Sequence, residues 1–226
     1  MSDKFVQLKF DSEFDAIICL NGKIPTKNFF KKCKNVPILA SDGASTKLFK
    51  INIIPDYVIG DMDSAIRALL DKFIPENRII EISSQDITDF EKTLNFSIKS
   101  GFENILICGF HGGEMEHSLN NVSVLLKYMN SLNLTIFELN RYCLPINKSI
   151  QFHCSLNEMI SIIPQPECDL NTDGLQWELK NESLKLGTRE GSRNRAIKTK
   201  VSIKLNSGKY LLSINSILLK APNFYN

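Results

Sequence analysis

The sequence predicts an α/β domain, a mostly parallel sheet flanked by helices, followed by a smaller all-β sandwich domain. Three observations predict it. Short runs with continuous apolar centres (DAIICL, VPILAS, YVIG, NRIIEI and NILICG) alternate with helix-like stretches up to about residue 140. Strands of that kind belong to sheets covered on both faces. Beyond residue 144 the runs show partial two-residue alternation and are separated by Asn, Gly, Pro and Ser, the pattern of an all-β unit. Finally, the polar loops GDMDS, SSQDITD and GFHGGEMEH follow the third, fourth and fifth runs. Ligands of parallel sheets gather beyond the carboxyl ends of the strands, so these loops are expected to meet at one rim. The boundary falls in RYCLPINKS, giving domains at 1–143 and 144–226.

In chain order, DAIICL is the first strand, and NGKIPT leads into a basic helical stretch. VPILAS is the second, followed by a helix over 43–49. YVIG is the third, with a helix over 64–72, and NRIIEI is the fourth. In TDFEKTLNFSIKS, Phe90, Leu94 and Ile98 recur at four-residue spacing on one helix face. Thr88 and Glu91 have the form of a capping box at its start, and Gly101 suits its end. NILICG is the fifth run, EHSLNNVSVLLKYMN an amphipathic helix, and LTIFEL a further strand. In the second domain KSIQFHC, MISIIP, GLQWEL, ESLKLG, AIKTKVSIKL and KYLLSI read as strands.

A chain of 226 residues with 43% hydrophobic content has ample material for a core. Its net charge of +2 gives no bulk case for nucleic acid or an acidic membrane as partner. No apolar run approaches the ~18–20 residues that span a bilayer. The N-terminal MSDKFVQLKFDSEF lacks the apolar stretch of a signal peptide. Six cysteines without a CxxC pair read as reduced thiols, which with the foregoing gives a cytoplasmic location.

The chemistry is carried by carboxylates. Asp61 and Asp63, two residues apart, point the same way in an extended segment. Asp86 and Asp89 stand at a helix start, where the helix dipole favours negative charge. Four carboxylates at two strand ends repel one another unless something positive lies between them. Hard oxygen ligands from several loops suit Mg²⁺, which is usually held by one or two carboxylates plus substrate phosphates. The implied substrate is a polyphosphate. The competing reading is that each pair is an Asp-rich turn or a helix start and nothing more. No Walker A pattern is present, so this is not a P-loop site.

The motifs LNG, SDGASTKLF, IIPDYVIGDMDS, QDITDFEKTL, GFHGGEMEHSLNNVSVLL and TDGLQWELKNESLKLG occur in the order and spacing of the thiamine pyrophosphokinases, and from about Ala16 to Lys209 the chain resembles that family. The resemblance implies an α/β catalytic domain followed by a β-sandwich that binds thiamine. It implies Mg²⁺-dependent transfer of pyrophosphate from ATP to the hydroxyl of thiamine, giving thiamine diphosphate and AMP, by a homodimer with active sites between subunits. Asp61, Asp63, Asp86, Thr88 and Asp89 match the family's metal and phosphate residues, the four aspartates as metal ligands. Asn21 and Gly22, and Asp42 with Gly43, match its nucleotide-contacting loops, and Gly113 and His117 belong to the matching Gly-Gly segment. Trp177 resembles the aromatic platform for thiamine; the alternative for a lone tryptophan is the sandwich core. One of Asp86, Asp89 or Glu116 is expected to take the proton of the alcohol.

The sequence also departs from the family pattern. SDGASTK replaces ADGGANR, placing Ala44 where a second glycine is usual. GGEMEH replaces GGRxDH, so Glu114 stands for an arginine and Glu116 for an aspartate. GSRNR replaces GxSNE, so Asn194 is kept while Arg193 and Arg195 stand for serine and glutamate. Arg193 and Asn194 are therefore carried over as substrate-binding positions beside Trp177. These exchanges keep two alternatives open: a related pyrophosphokinase with a different alcohol acceptor, and a non-catalytic nucleotide- or thiamine-binding module.

Overall fold

A strand apolar on both sides is buried only if helices cover both faces of its sheet, and the first half of the chain builds that arrangement. The structure, a computed structural model, describes residues 5–63, 65–217 and 219–226. It divides into two units. One is Glu13–Glu138; the other joins Leu139–Asn226 to the first strand, β1 (Val6–Ser12).

The α/β unit contains β2 (Ala16–Cys19), β3 (Ile38–Ser41), β4 (Tyr57–Gly60), β5 (Ile79–Glu81), β6 (Asn104–Cys108) and β7 (Asn133–Glu138). They lie in the order β7-β6-β2-β3-β4-β5, and every pairing is parallel. All four residues of β2 are buried, as its unbroken apolar run demands. The helices are α1 (Lys27–Lys32), α2 (Ala44–Lys50), α3 (Arg67–Phe73), α4 (Asp89–Lys99) and α5 (Met115–Tyr128). Strands β2 to β5 are laid down in one direction, after which the chain returns and sets β6 on the other side of β2. The strand order therefore reverses at β2, and its carboxyl end is the switch point at which such sheets open a crevice.

Helix α4 begins as its sequence predicts. The Thr88 hydroxyl accepts a hydrogen bond from the Glu91 N–H at 3.3 Å. The other half of the expected capping box is diverted, because the buried Glu91 carboxylate pairs with Lys127 on α5. The helix expected over 64–72 is observed as α3; Ile66 before it is extended, and Ser64 lies outside the described residues.

The second unit is all-β. It adds β8 (Arg141–Ile146), β9 (Ile150–His153), β10 (Met159–Asp173), β11 (Glu182–Lys185), β12 (Gly191–Arg195), β13 (Lys200–Asn215) and β14 (Ala221–Tyr225). The two long strands β10 and β13 pair antiparallel along most of their length. β13 also pairs with β8 and β9, and β10 with β11 and β12. Tyr142, Phe152, Leu170, Val201 and Tyr210 fill the core.

Three expectations are revised here. β1, assigned from sequence to the first domain, pairs with β14 and β9, so its ladder hydrogen bonds belong to the all-β unit. AIKTKVSIKL and KYLLSI contribute to one strand, because Gly208 (φ +80°) lets β13 pass the Glu167 carbonyl, 2.2 Å from where a Cβ would stand. GLQWEL is not a ladder strand. The Glu178 carboxylate folds back to accept from the N–H groups of Gly174 (2.7 Å) and Leu175 (2.9 Å), and closes a loop. Among the described residues no helix is long and apolar enough to cross a membrane.

Candidate active site

The carboxyl ends of β3 and β4 and the start of α4 bring three aspartates together. Ser41 and Ile59 are register partners, and the Asp42 N–H donates to the Ile59 carbonyl at 2.8 Å. The residues just past the two strands therefore emerge side by side. One carboxylate oxygen from each of Asp42, Asp61 and Asp89 lies within 4.8 Å of the others. Gly60 forms the floor: a Cβ there would fall 2.6 Å from the Asp42 Cβ and 3.1 Å from the Asp89 Oδ1. The glycine that ends YVIG is thus required by the carboxylates packed over it.

Lys92, one turn into α4, answers the question of charge. Its side chain is 1% exposed, and its ammonium donates to Asp89 Oδ1 at 2.9 Å and to Asp61 Oδ2 at 3.3 Å. Asp61 Oδ2 also accepts from the Gln85 amide at 2.9 Å. Burial works to raise the Asp61 carboxyl, but the Gln85 amide, the Asp63 N–H and the Lys92 ammonium outweigh it and hold it below its ordinary value. Burial likewise works to lower Lys92, and Asp89 and Asp61 overcome it and raise it.

Sequence reasoning missed Lys92 and Gln85 and gave Asp42 a different task. The signal for Asp42 was present, since it directly follows its apolar run as Asp61 directly follows the next. Asp63 and Asp86, expected beside Asp61 and Asp89, stand outside the three-carboxylate group. Asp63 is exposed and offers its N–H to Asp61 at 3.4 Å, and Asp86 is exposed and accepts from the Ser84 hydroxyl at 3.2 Å. The set of Asp42, Asp61 and Asp89 suits a hard divalent cation, because it is all oxygen and its ligand atoms already converge.

At the switch point, the loops after β2 and β6 lock together. Gly22 N–H donates to the Gly109 carbonyl at 2.9 Å, and Lys23 N–H to the His111 carbonyl at 2.6 Å. A Cβ on Gly22 would lie 2.1 Å from the His111 oxygen, so this backbone approach admits glycine alone. The Lys47 ammonium, from α2, donates to the carbonyls of Asn21 and of Gly22, the latter at 3.0 Å. Lys47 ties the loops after β2 and β3 together, bringing Asn21, Gly22 and Gly43 into one neighbourhood. Ala44 is fully buried, which puts its methyl group inside the protein and not in the crevice. Gly113, Glu116 and His117 are exposed around the start of α5, where His117 pairs with Glu114 at 3.3 Å.

In the all-β unit Trp177 is 58% exposed, so the indole is not a core residue. Asn194, by contrast, is buried, and its side chain is spent on protein: Oδ1 accepts from the Trp177 N–H at 3.1 Å, and Nδ2 donates to the Trp177 carbonyl at 2.7 Å. Arg193 and Arg195 flank it and are exposed. Arg193 adopts φ +58° in a bulge of β12 and donates its N–H to the Ser161 hydroxyl at 2.9 Å.

Both halves of the chain match known proteins. Residues 27–137 match the family model of the thiamin pyrophosphokinase catalytic domain, and residues 142–210 that of the thiamin pyrophosphokinase vitamin B1 binding domain. The chain is 25% identical over 231 residues to thiamin pyrophosphokinase 1 of Caenorhabditis elegans, covering 92% of this chain and 93% of that protein. It is 30% identical over 173 residues to thiamine pyrophosphokinase 1 of Arabidopsis thaliana, covering 68% of this chain and 62% of the plant protein, less than two thirds of its length. Its fold resembles the crystal structure of thiamine pyrophosphokinase from Bacillus subtilis, with a TM-score of 0.73 at 20% identity, covering 90% of this chain and 100% of that one. It also resembles yeast thiamin pyrophosphokinase, with a TM-score of 0.75 at 18% identity, covering 91% of this chain and 87% of that one. With both domains matched in order over most of its length, the chain belongs to the thiamin pyrophosphokinase family.

Proposed function

We propose that this chain transfers the pyrophosphoryl group of ATP to the hydroxyl of thiamine, giving thiamine diphosphate and AMP. The observation that carries the reading is the convergence of Asp42, Asp61 and Asp89 from two strand ends and a helix start, their ligand oxygens within 4.8 Å. Separate loops that present three carboxylates to one point are suited to a metal–polyphosphate complex. We assign the metal to Asp42, Asp61 and Asp89, with exposed Asp63 and Asp86 on the flanking loops toward the phosphates. Mg²⁺ bound there would neutralise charge developing on the transferred group.

The remaining work belongs to the chain itself. Lys92 holds the Asp61 and Asp89 carboxylates at a fixed spacing. Lys47 and the Gly22–Gly109 contact shape the crevice at the switch point, and Thr88 fixes the start of α4. Exposed Trp177 offers a flat face to the rings of thiamine, of which the thiazolium is cationic, a contact worth ~0.5–2 kcal/mol. Among the three candidate bases, Asp89 is engaged by Lys92, which leaves the exposed Asp86 and Glu116. Free thiols at all six cysteines suit a cytoplasmic location, and the resemblance to the family supports a homodimer as the working form.

The exposure of Arg193 and Arg195 beside Trp177 favours one second reading, a related alcohol as acceptor, since positive charge there disfavours a cation. The test is AMP release from ATP and Mg²⁺ with thiamine and with a panel of neutral and anionic alcohols. Thiamine-dependent AMP with matching thiamine diphosphate is expected. AMP with another alcohol alone supports the second reading, and none with any acceptor overturns both.

A further inference from the structure

Residues 175–177 run alongside residues 194–196, but their backbones pair only in part. Leu175 and Ala196 form an isolated antiparallel bridge, and the Gln176 N–H donates to the Arg195 carbonyl at 2.8 Å. At Trp177 the backbone bonds give way to a side chain, and Asn194 is itself in register with Ile160 of β10. The Asn194 side chain takes over. Its Oδ1 accepts from the Trp177 N–H at 3.1 Å and from the Arg195 N–H at 2.8 Å, while its Nδ2 donates to the Trp177 carbonyl at 2.7 Å.

A carboxamide is a peptide group in miniature, with one acceptor and a donor side by side. Here it satisfies both polar groups of the tryptophan backbone, as a strand neighbour would. The bulge of β12 at Arg193 turns Asn194 inward while Arg193 and Arg195 stay out.

We infer that Asn194 is a positioning residue: it clamps the peptide of Trp177 and so fixes the exposed indole as a rigid face for the acceptor, without touching the acceptor itself. The acceptor half of this inference rests on the reading of Trp177 as the thiamine platform; the clamp does not. The chemistry is restrictive. Alanine leaves the Trp177 N–H and C=O without their partner. Aspartate keeps the shape but sets a carboxylate oxygen against the Trp177 carbonyl. Glutamine is one methylene too long for the same two bonds.

Trp177 is the single tryptophan of the chain, so its fluorescence reports on this site alone. In the full-length protein without ligands, Asn194→Ala and Asn194→Asp should both lower the steady-state anisotropy of that emission, with the indole swinging more freely. Both should raise the KM for thiamine about tenfold, the scale of one buried hydrogen-bond pair left unmade, with the KM for ATP unmoved. Should the alanine variant fail to fold, the isosteric aspartate variant carries the test. An anisotropy equal to wild type overturns the clamp, even where the KM rises, because the side chain would then be acting on the acceptor directly. Trp177→Ala separates the two layers. An unchanged thiamine KM in that variant overturns the platform reading and the acceptor half with it, while the clamp is judged by the anisotropy, which needs no acceptor.

Discussion

Replacing Lys92 by methionine isolates the charge that holds the acidic cluster together. The exchange keeps a long stem in a site that is 1% exposed and removes only the ammonium between Asp61 and Asp89. Two carboxylate oxygens up to 4.8 Å apart repel by about 3–4 kcal/mol at an effective dielectric constant near 20. The Asp61 and Asp89 side chains are 17% and 31% exposed, so water recovers part of that, and a net loss of about 2 kcal/mol is expected. For a chain of this size that lowers Tm by roughly 4–8 °C. The assay is thermal unfolding by circular dichroism, with and without millimolar Mg²⁺. Without the metal Lys92→Met should melt early. With it, the variant should regain more of its Tm than wild type gains, since a divalent cation now supplies the positive charge the lysine supplied. A variant within about 1 °C of wild type in metal-free buffer, or equal Mg²⁺ shifts in the two proteins, refutes the reasoning.

Gly60→Ala would place a methyl group 2.6 Å from the Asp42 Cβ; it should abolish metal binding measured by calorimetry while far-UV dichroism stays that of the wild type. Asp61 is held below the ordinary value of 3.8 in the fold, so the stability it lends is full above that value and is lost as pH falls through the depressed one. Tm should thus be flat above about pH 5 and fall in acid, and Asp61→Asn should flatten part of that fall; an unchanged acid profile in the variant removes Asp61 as a contributor. Cys19, Cys33, Cys108 and Cys168 are buried, and burial pushes the Cys33, Cys154 and Cys168 thiols up to about 11. A disulfide reagent at pH 8 should therefore react slowly with no more than the two half-buried thiols, Cys143 and Cys154, and with all six after denaturation without reductant.

The α/β unit was legible because its signals are local. A run such as DAIICL has one solution, burial in a two-sided sheet, and all four residues of β2 are buried. The all-β unit was less legible, because its pairings are set by partners far along the chain. Nothing in VQLKFDS announces that it will lie between Ala221–Tyr225 and Ile150–His153, and so join the far unit. Nor does GLQWEL announce that Glu178 will fold back on its own backbone; the run has strand-like residues, and a side-chain carboxylate outcompetes the ladder.

The site shows the same division. Loop acidity at strand ends pointed to the rim, and Asp61 and Asp89 do converge there. Which of the neighbouring aspartates joins them is a matter of register. Asp42 enters because Ser41 is opposite Ile59 and Gly60 lacks a side chain to keep it out, whereas Asp63 lies two residues past Asp61, on a turn that has left the strand. Lys92 was hidden for a related reason. Three residues after Asp89 it reads as an ordinary helix charge, yet its side chain is enclosed, and enclosure is what makes a lysine beside two carboxylates a structural cation. An acidic cluster that must fold before any metal arrives needs an internal counter-charge, one weak enough in geometry to yield a ligand position later. The Lys92 ammonium, shared at 2.9 and 3.3 Å between Asp89 and Asp61, meets both conditions.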